Sequence, residues 1–282
     1  MPEASVVIQE QEQRPPALPQ REETGGASEL WHFRELLYFL AWRDVKVRYK
    51  QASFGAAWAI IQPLFTMIIF TIFFGRMANI PSGGIPYPLF FYTTLVPWTY
   101  FAGTLGQAGN SLVSNAPLIT KIYFPRILLP ASSALSSLLD FGVSSSFLVV
   151  MMLYYRTVPS WKIVFWPLAV LEMLIVTVGI SMWFAALNVR YRDIKHVIPF
   201  MIQLGLWVSP VLYPVTYLSP RWRPLLAINP LTAVMEGFRA CLFPNRQLDW
   251  GLMAISSGTS LVFFTIGALY FRRAEKTFAD II

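Results

Sequence analysis

Six long apolar stretches dominate this chain, at about 54–74, 88–105, 127–155, 163–187, 197–215 and 252–271. Each reaches or approaches the roughly 18 to 20 residues that a helix needs to cross a hydrocarbon core. Within lipid, only helices and closed barrels satisfy every backbone polar group, and uninterrupted apolar runs of this length read as helices. The sequence therefore predicts an all-α, polytopic membrane protein with six transmembrane helices. Its function is to be sought in what crosses or enters the bilayer.

Composition supports this. Hydrophobic residues make up 55% of the 282 residues and charged residues only 13%, about half the share of a typical soluble domain. The net charge of +7 does not point to nucleic acid, because the basic residues follow the membrane boundaries. With the N-terminus placed in the cytoplasm, the short cytoplasmic pieces hold Arg43, Lys46, Arg48 and Lys50, then Lys121 and Arg126, then Arg190, Arg192 and Lys195, and finally Arg272, Arg273 and Lys276. The longer external pieces hold fewer, so the positive-inside bias puts both termini in the cytoplasm. The lone Cys241 excludes an intrachain disulfide, and the two histidines, His32 and His196, stand far apart. No metal cluster is expected.

Residues 1–29 are rich in Glu, Gln and Pro and are expected to form a disordered cytoplasmic tail. Residues 30–50 change character. Phe33, Leu36, Leu37, Leu40 and Val47 gather on one side of a helical wheel, opposite Glu35, Phe39, Arg43, Lys46 and Lys50. This predicts an amphipathic helix lying in the cytoplasmic interface. The pattern fits a positive anchor for the first span and fits equally an element of a docking groove for a cytosolic partner. Residues 51–282 form the six-helix membrane domain.

Two connections stand out. In the cytoplasmic loop 107–126, Ser114 and Asn115 precede Pro117, a helix start, and Pro125 stops the helix again. Between them, Leu118 to Phe124 predict a short helix that shows Ile122, Tyr123 and Phe124 to the cytosol. Such side chains tuck under the membrane edge or insert into a partner, and insertion is expected here. In the external connection 214–251, helical pieces at 225–228 and 231–243 are separated by Asn229 as a cap and Pro230 at the first turn. They are expected to be re-entrant, interfacial or gating elements.

Chemistry is largely absent. The sequence has no GxxxxGK[ST] phosphate loop, no HExxH and no GxSxG. Asp140 and Glu172 lie within apolar stretches and should face protein or water. A proton relay is the sharp reading of the pair, but structural polar contacts or a hydrated lining position are favoured, since two acids do not make a ladder. Aromatic residues, 16% of the chain, crowd the second stretch and mark the outer part of the fifth. They suit either interfacial belt and packing roles or a stacking path for sugar faces.

Several motifs share one order and topology: Arg48-Tyr49 followed by Gly55, Trp58 and Pro63; Lys121-Ile122-Tyr123-Phe124-Pro125; Leu187-Asn188-Val189-Arg190-Tyr191-Arg192-Asp193-Ile194; Ser209-Pro210-Val211-Leu212-Tyr213; and Asn229-Pro230. In these the chain resembles the membrane subunit of ABC exporters for lipid-linked polysaccharides, the O-antigen and teichoic-acid export permeases. The resemblance implies a homodimer joined to two copies of a separate ABC ATPase, which would hold the ATP and Mg; this chain would need no cofactor and would be no enzyme. It implies that the interface helix, with Phe33 and Leu37, and the loop Lys121, Ile122, Tyr123 and Phe124 contact the ATPase. It places the short helices at Asn229 and Pro230 by the external gate. An aromatic channel would run between the two copies, with Trp98, Tyr100, Trp207 and Tyr213 as candidates for contact with the lipid-linked polysaccharide. The expected location is the bacterial cytoplasmic membrane, among its lipids. The alternatives are an ion-coupled transporter using Asp140 and Glu172, and a membrane-embedded enzyme acting on lipid-linked sugars.

Overall fold

The computed structural model describes residues 32–50, 57–244, 246–276 and 278. The expected tail, the first two residues of the interface helix and Gly55 lie outside the described residues. Contacts divide the chain into Met1–Arg34 and Glu35–Ile282. In the first unit, the His32 ring stands edge-on to Phe33 at 5.5 Å. The second unit holds the helical bundle.

Among the described residues there are helices and turns but no strand. In chain order, α1 is Arg34–Lys50, α2 is Trp58–Phe70 and runs on as π-helical turns Thr71–Met77, and α3 is Tyr87–Ser114. Then come α4, Ala116–Lys121; α5, Leu128–Tyr154; and α6, Trp166–Arg190, after a 3-10 turn at Trp161–Phe165. The last four are α7, Ile194–Val208; α8, Arg223–Ile228; α9, Leu231–Leu242; and α10, Trp250–Glu275.

Four elements are long and apolar enough to cross a membrane: Trp58–Met77, Leu128–Tyr154, Trp161–Arg190 and Trp250–Glu275. The other two expected crossings differ in kind. α3 has ample length, 28 residues, but it carries Thr93, Thr94, Thr99 and Thr104 and is less apolar. α7 is apolar but only 15 residues long, because the fifth stretch stops being helical at Val208, before Ser209-Pro210. The protein is thus an all-helical, multi-pass membrane protein.

α3 is the central helix, packed against α2, α5, α6, α7 and α9. That position explains its composition. A helix surrounded by protein has no lipid to please, and three of its threonines bond backbone carbonyls: Thr93 donates to Leu89 O at 2.8 Å, Thr94 to Val211 O at 2.9 Å and Thr99 to Val96 O at 2.9 Å. By contrast, α2 is mostly uncovered, with only Pro63 and Met67 buried.

The longest partnership is between α6 and α10. A Cβ added to Gly267 would stand 2.0 Å from Gly179 O, and one added to Gly179 would stand 2.4 Å from Phe264 Cα. The two backbones therefore touch, a closeness that only glycine allows and that drives helix association in lipid. At one end of the bundle, Lys162 donates to Arg246 O at 2.7 Å and Arg246 to Ser82 O at 3.2 Å, tying three connections together. At the other end, the 115–127 loop meets the end of α10, where Arg126 N–H donates to Glu275 Oε1 at 2.9 Å.

Candidate functional site

The corner between α8 and α9 is built by local rules. Asn229 Oδ1 accepts from Leu231 N–H at 3.0 Å, the capping role expected of it, and Pro230 immediately precedes the first residue of α9. Asn229 then reaches further. Its Nδ2 donates to Ser209 Oγ at 3.0 Å, joining the corner to the break after α7. From α10, Ser256 O–H donates to Asn229 O at 2.7 Å and its oxygen accepts from Ala233 N–H at 2.9 Å. Ser260 O–H donates to Pro230 O at 3.0 Å.

α9 is not a peripheral helix. It packs against α3, α6, α8 and α10, and each of its residues except Glu236 is buried. Arg239 on α9 is 0% exposed. Its Nη1 donates to Glu236 Oε1 at 2.9 Å and Tyr213 O at 3.1 Å, and its Nη2 to Val211 O at 2.9 Å and Thr94 Oγ1 at 3.4 Å. Its guanidinium carbon lies 4.1 Å from the centre of the Phe90 ring. A buried charge is tolerated only when paired and hydrogen-bonded, and the planar fork of arginine meets several acceptors at once.

The acceptors explain why a charge sits there. Residues 209–214 leave the helix, so their carbonyls lack helical partners, and irregular backbone within a membrane protein must be satisfied by protein. Successive carbonyls are served in turn: Val211 O by Thr94 and Arg239, Leu212 O by the Tyr87 hydroxyl at 2.9 Å, and Tyr213 O by Arg239. The segment Ser209-Pro210-Val211-Leu212-Tyr213 is thereby fixed to α3 on one side and α9 on the other.

At the opposite end, α4 stops at Lys121 and does not reach Phe124; Ile122 is already extended. Ile122 and Tyr123 are exposed, Tyr123 at 70%, but Phe124 is buried at 4%. Phe124 is therefore a core residue of this loop and does not share the exposed surface expected for it. Lys121 is exposed beside Ile122.

α1 buries largely the face expected of it: Leu40 is buried and Phe33, Leu36 and Leu37 are half-buried, while Glu35, Phe39, Lys46 and Lys50 are exposed. Val47 departs from it and is exposed, and Ala41 and Val45 are buried instead. The end of α1 is held by polar contacts. Arg48 pairs with Asp140 of α5 and donates to Gln107 of α3, while Tyr49 O–H donates to Asp140. Ser132 O–H donates to Asp44 at 3.4 Å, and Ser144 O–H to Ala59 O at 2.9 Å. These contacts fasten Asp44, Arg48, Tyr49 and Ala59 to α5. Tyr38 and Trp42 stack on its outer side at 6.5 Å, with Lys46 over Trp42 at 5.7 Å.

Asp140 and Glu172 are held in separate contacts, the first by Arg48 and Tyr49, the second by Ser257 O–H at 2.7 Å. Of the four aromatic path candidates, Trp98 and Tyr100 are buried within the chain. Tyr100 donates to Ala134 O at 3.2 Å and packs on Phe141, and Trp98 fills the space left by Gly205. They support α3 as packing residues and are not on a surface that a polymer could reach. Trp207 is half exposed beside Phe70 and Phe74, and Tyr213 is partly buried with its hydroxyl 3.3 Å from Trp207 O. The sequence reading missed Arg239, Glu236, Thr94 and Tyr87. A charged pair three residues apart in an otherwise apolar helix was the available signal.

The profile of the ABC-2 type transporter family matches residues 35–243. The chain is 28% identical over 258 residues to the O-antigen export system permease protein RfbA of Myxococcus xanthus, covering 90% of this chain and 98% of that one. It is 31% identical over 259 residues to RfbA of Klebsiella pneumoniae, covering 90% and 97%. The polysialic acid transport protein KpsM of Escherichia coli is more distant, 21% identical over 238 residues, 83% of this chain and 91% of that protein.

Proposed function

This chain belongs to the ABC-2 type transporter family and is the transmembrane subunit of an ABC exporter of polysaccharide, not an enzyme, and we propose that its cargo is a lipid-linked polymer of the O-antigen kind. The observation that carries the proposal is the likeness to O-antigen export permeases along 90% of the chain. The chain lies in the bacterial cytoplasmic membrane with six crossings, α3 and α7 included, and both termini in the cytoplasm. Two copies related by two-fold symmetry join two ABC ATPase subunits, which bind ATP and Mg. A closed dimer gives a path along its axis.

Under this reading, Lys121, Ile122 and Tyr123, with Phe33 and Leu37 of the interface helix, dock the ATPase, and the Asn229-Pro230 corner stands at the external gate. Trp207 and Tyr213 remain as aromatic contacts for sugar faces. Support comes from the exposed Ile122 and Tyr123 at one end and the buried α9 at the other. The test is export in vesicles holding this chain and its co-purifying ATPase. Lipid-linked glycan should cross only with ATP, and disruption of the chain in its host should leave that glycan inside. Export driven by a proton gradient without ATP would overturn the reading.

A further inference from the structure

We infer that α10 is a rocker that links the 122–126 loop to the Asn229-Pro230 corner, with its fulcrum at Gly267; the inference rests on the proposed docking role of that loop.

The two ends of α10 are attached to the two functional regions, and beside Ser256 the helix is also fastened to α6, where Ser257 O–H donates to Glu172 Oε1 at 2.7 Å. At its end, Glu275 Oε1 accepts the Arg126 backbone N–H at 2.9 Å, and the Glu275 carbonyl accepts from the Arg126 guanidinium. The same guanidinium lies 5.8 Å from the Phe278 ring, which packs edge-on against Phe271 at 5.6 Å. Phe271 and Phe278 are both buried. Arg126 directly follows Pro125, so a force on Ile122 and Tyr123 reaches α10 through one short extended segment.

Near its beginning, α10 holds the corner by backbone atoms. Ser256 bridges Asn229 O at 2.7 Å and Ala233 N–H at 2.9 Å, and Ser260 reaches Pro230 O at 3.0 Å. Because these bonds fall on main-chain atoms, moving Ser256 moves the start of α9 itself. Between the two attachments the helix is unbroken and contains no proline. From Ser256 to Glu275 it is about 29 Å long at 1.5 Å per residue. Bends in helices have identifiable causes; α10 has neither a proline nor a π-bulge, and its one Ser-Gly pair, Ser257-Gly258, lies at the corner end beside Ser256.

The crossing with α6 supplies the pivot. At Gly267 and Gly179 the backbones are in contact, so the helices cannot approach further there. Gly267 lies about 12 Å along the axis from Glu275 and about 16 Å from Ser256. Displacement of the loop toward one side of the bundle therefore moves the corner toward the other, by a somewhat larger amount. Such rigid-body motion of a packed helix about a contact is an established way to carry a switch across a domain.

Two measurements test this. The first uses the permease alone in nanodiscs and reads hydrogen exchange of amides 229–235. Glu275→Ala should speed exchange there by about tenfold, although the substitution is a helix length away, while Glu275→Gln, which keeps the acceptor, should restore protection. Exchange at 229–235 identical to that of the unaltered chain in Glu275→Ala overturns the linkage. This measurement needs neither ATPase nor polymer, so it decides the linkage even if the proposed cargo is wrong.

The second uses the ATPase complex in vesicles, with Leu225→Cys on α8 as the reporter in a Cys241→Ala background. Addition of ATP should change the labelling rate of the reporter by an impermeant maleimide. Glu275→Ala, Ser256→Ala and Gly267→Ala should each remove most of that change and lower the glycan exported per ATP hydrolysed. Glu275→Ala combined with Ser256→Ala should do no more than either alone, because both cut one link. Additive losses, or an ATP response retained in Glu275→Ala, overturn the rocker. Ser256→Thr keeps the hydroxyl and should recover the response, which separates a lost link from a misfolded corner.

Discussion

The two ends of this bundle solve opposite problems. At the α9 end, an element that begins as a surface connection is drawn inside, so that every residue of Leu231–Leu242 except Glu236 is buried and a fully buried Arg239 holds the broken backbone beside it. At the other end, Ile122 and Tyr123 are left exposed, and the loop is secured only at its flanks, by Phe124 in the core and Arg126 on Glu275. One end is built to keep its shape against the bilayer. The other, under the proposed docking role, is built to be touched. The difference shows that burial and hydrogen bonding, more than apolarity, mark which connection belongs to the fold.

Substitutions can break that contrast. The largest effect is expected from Arg239→Met, which leaves Glu236 without its buried partner and the carbonyls of residues 211 and 213 without that donor. Removing one member of a buried pair costs about 3–5 kcal/mol, so thermal melts in detergent should show severe loss of folded protein. Survival of a stable, exporting Arg239→Met protein would mean that the α9 end is not held by this charge.

Next is Phe124→Ala, set against its neighbour. Deleting a buried phenyl ring costs about 3–5 kcal/mol, with the lower part of that range expected for a loop that can partly collapse. The check is a melt in which Phe124→Ala unfolds early while Tyr123→Ala does not. Equal melting of the two would put both rings on the same surface.

Asn229→Ala should cost about 1–2 kcal/mol, the worth of a lost cap with its second bond to Ser209. Asn229→Asp, which keeps the cap oxygen but not the Nδ2 donor, should recover about half, and denaturation of the pair measures the split. The smallest effect on stability is expected from Ile122→Ala with Tyr123→Ala, within about 0.5 kcal/mol for exposed positions. The same double variant should show the greatest loss of ATPase co-purification. A protein that melts normally and still carries its ATPase would remove the docking role from this loop.

Much of this was legible beforehand, and the reasons are local. Helix extents followed apolar runs, and the Asn229-Pro230 corner followed cap chemistry, which depends on neighbours in sequence. The buried face of α1 was largely legible from its apolar stripe, but the pairing of Arg48 with Asp140 was not, because it joins residues far apart in the chain. Arg239 was not legible either, since nothing local announces the carbonyls of residues 211 and 213. Trp98 and Tyr100 were misjudged for a related reason: an aromatic ring looks the same in sequence whether it meets a sugar, a lipid or a glycine such as Gly205.

The composition of α3 bears on how the protein is made. The helices that touch lipid are apolar enough to partition into a bilayer by themselves, whereas the helix at the centre, rich in threonine and tyrosine, is not. Insertion selects segments one at a time by their hydrophobicity, and α3 emerges from the ribosome before either of its main partners, α5 and α6. Its stable placement is expected to depend on those partners, which shield its hydroxyls. Lesions in α5 or α6 are therefore expected to lower the amount of inserted protein before they alter transport.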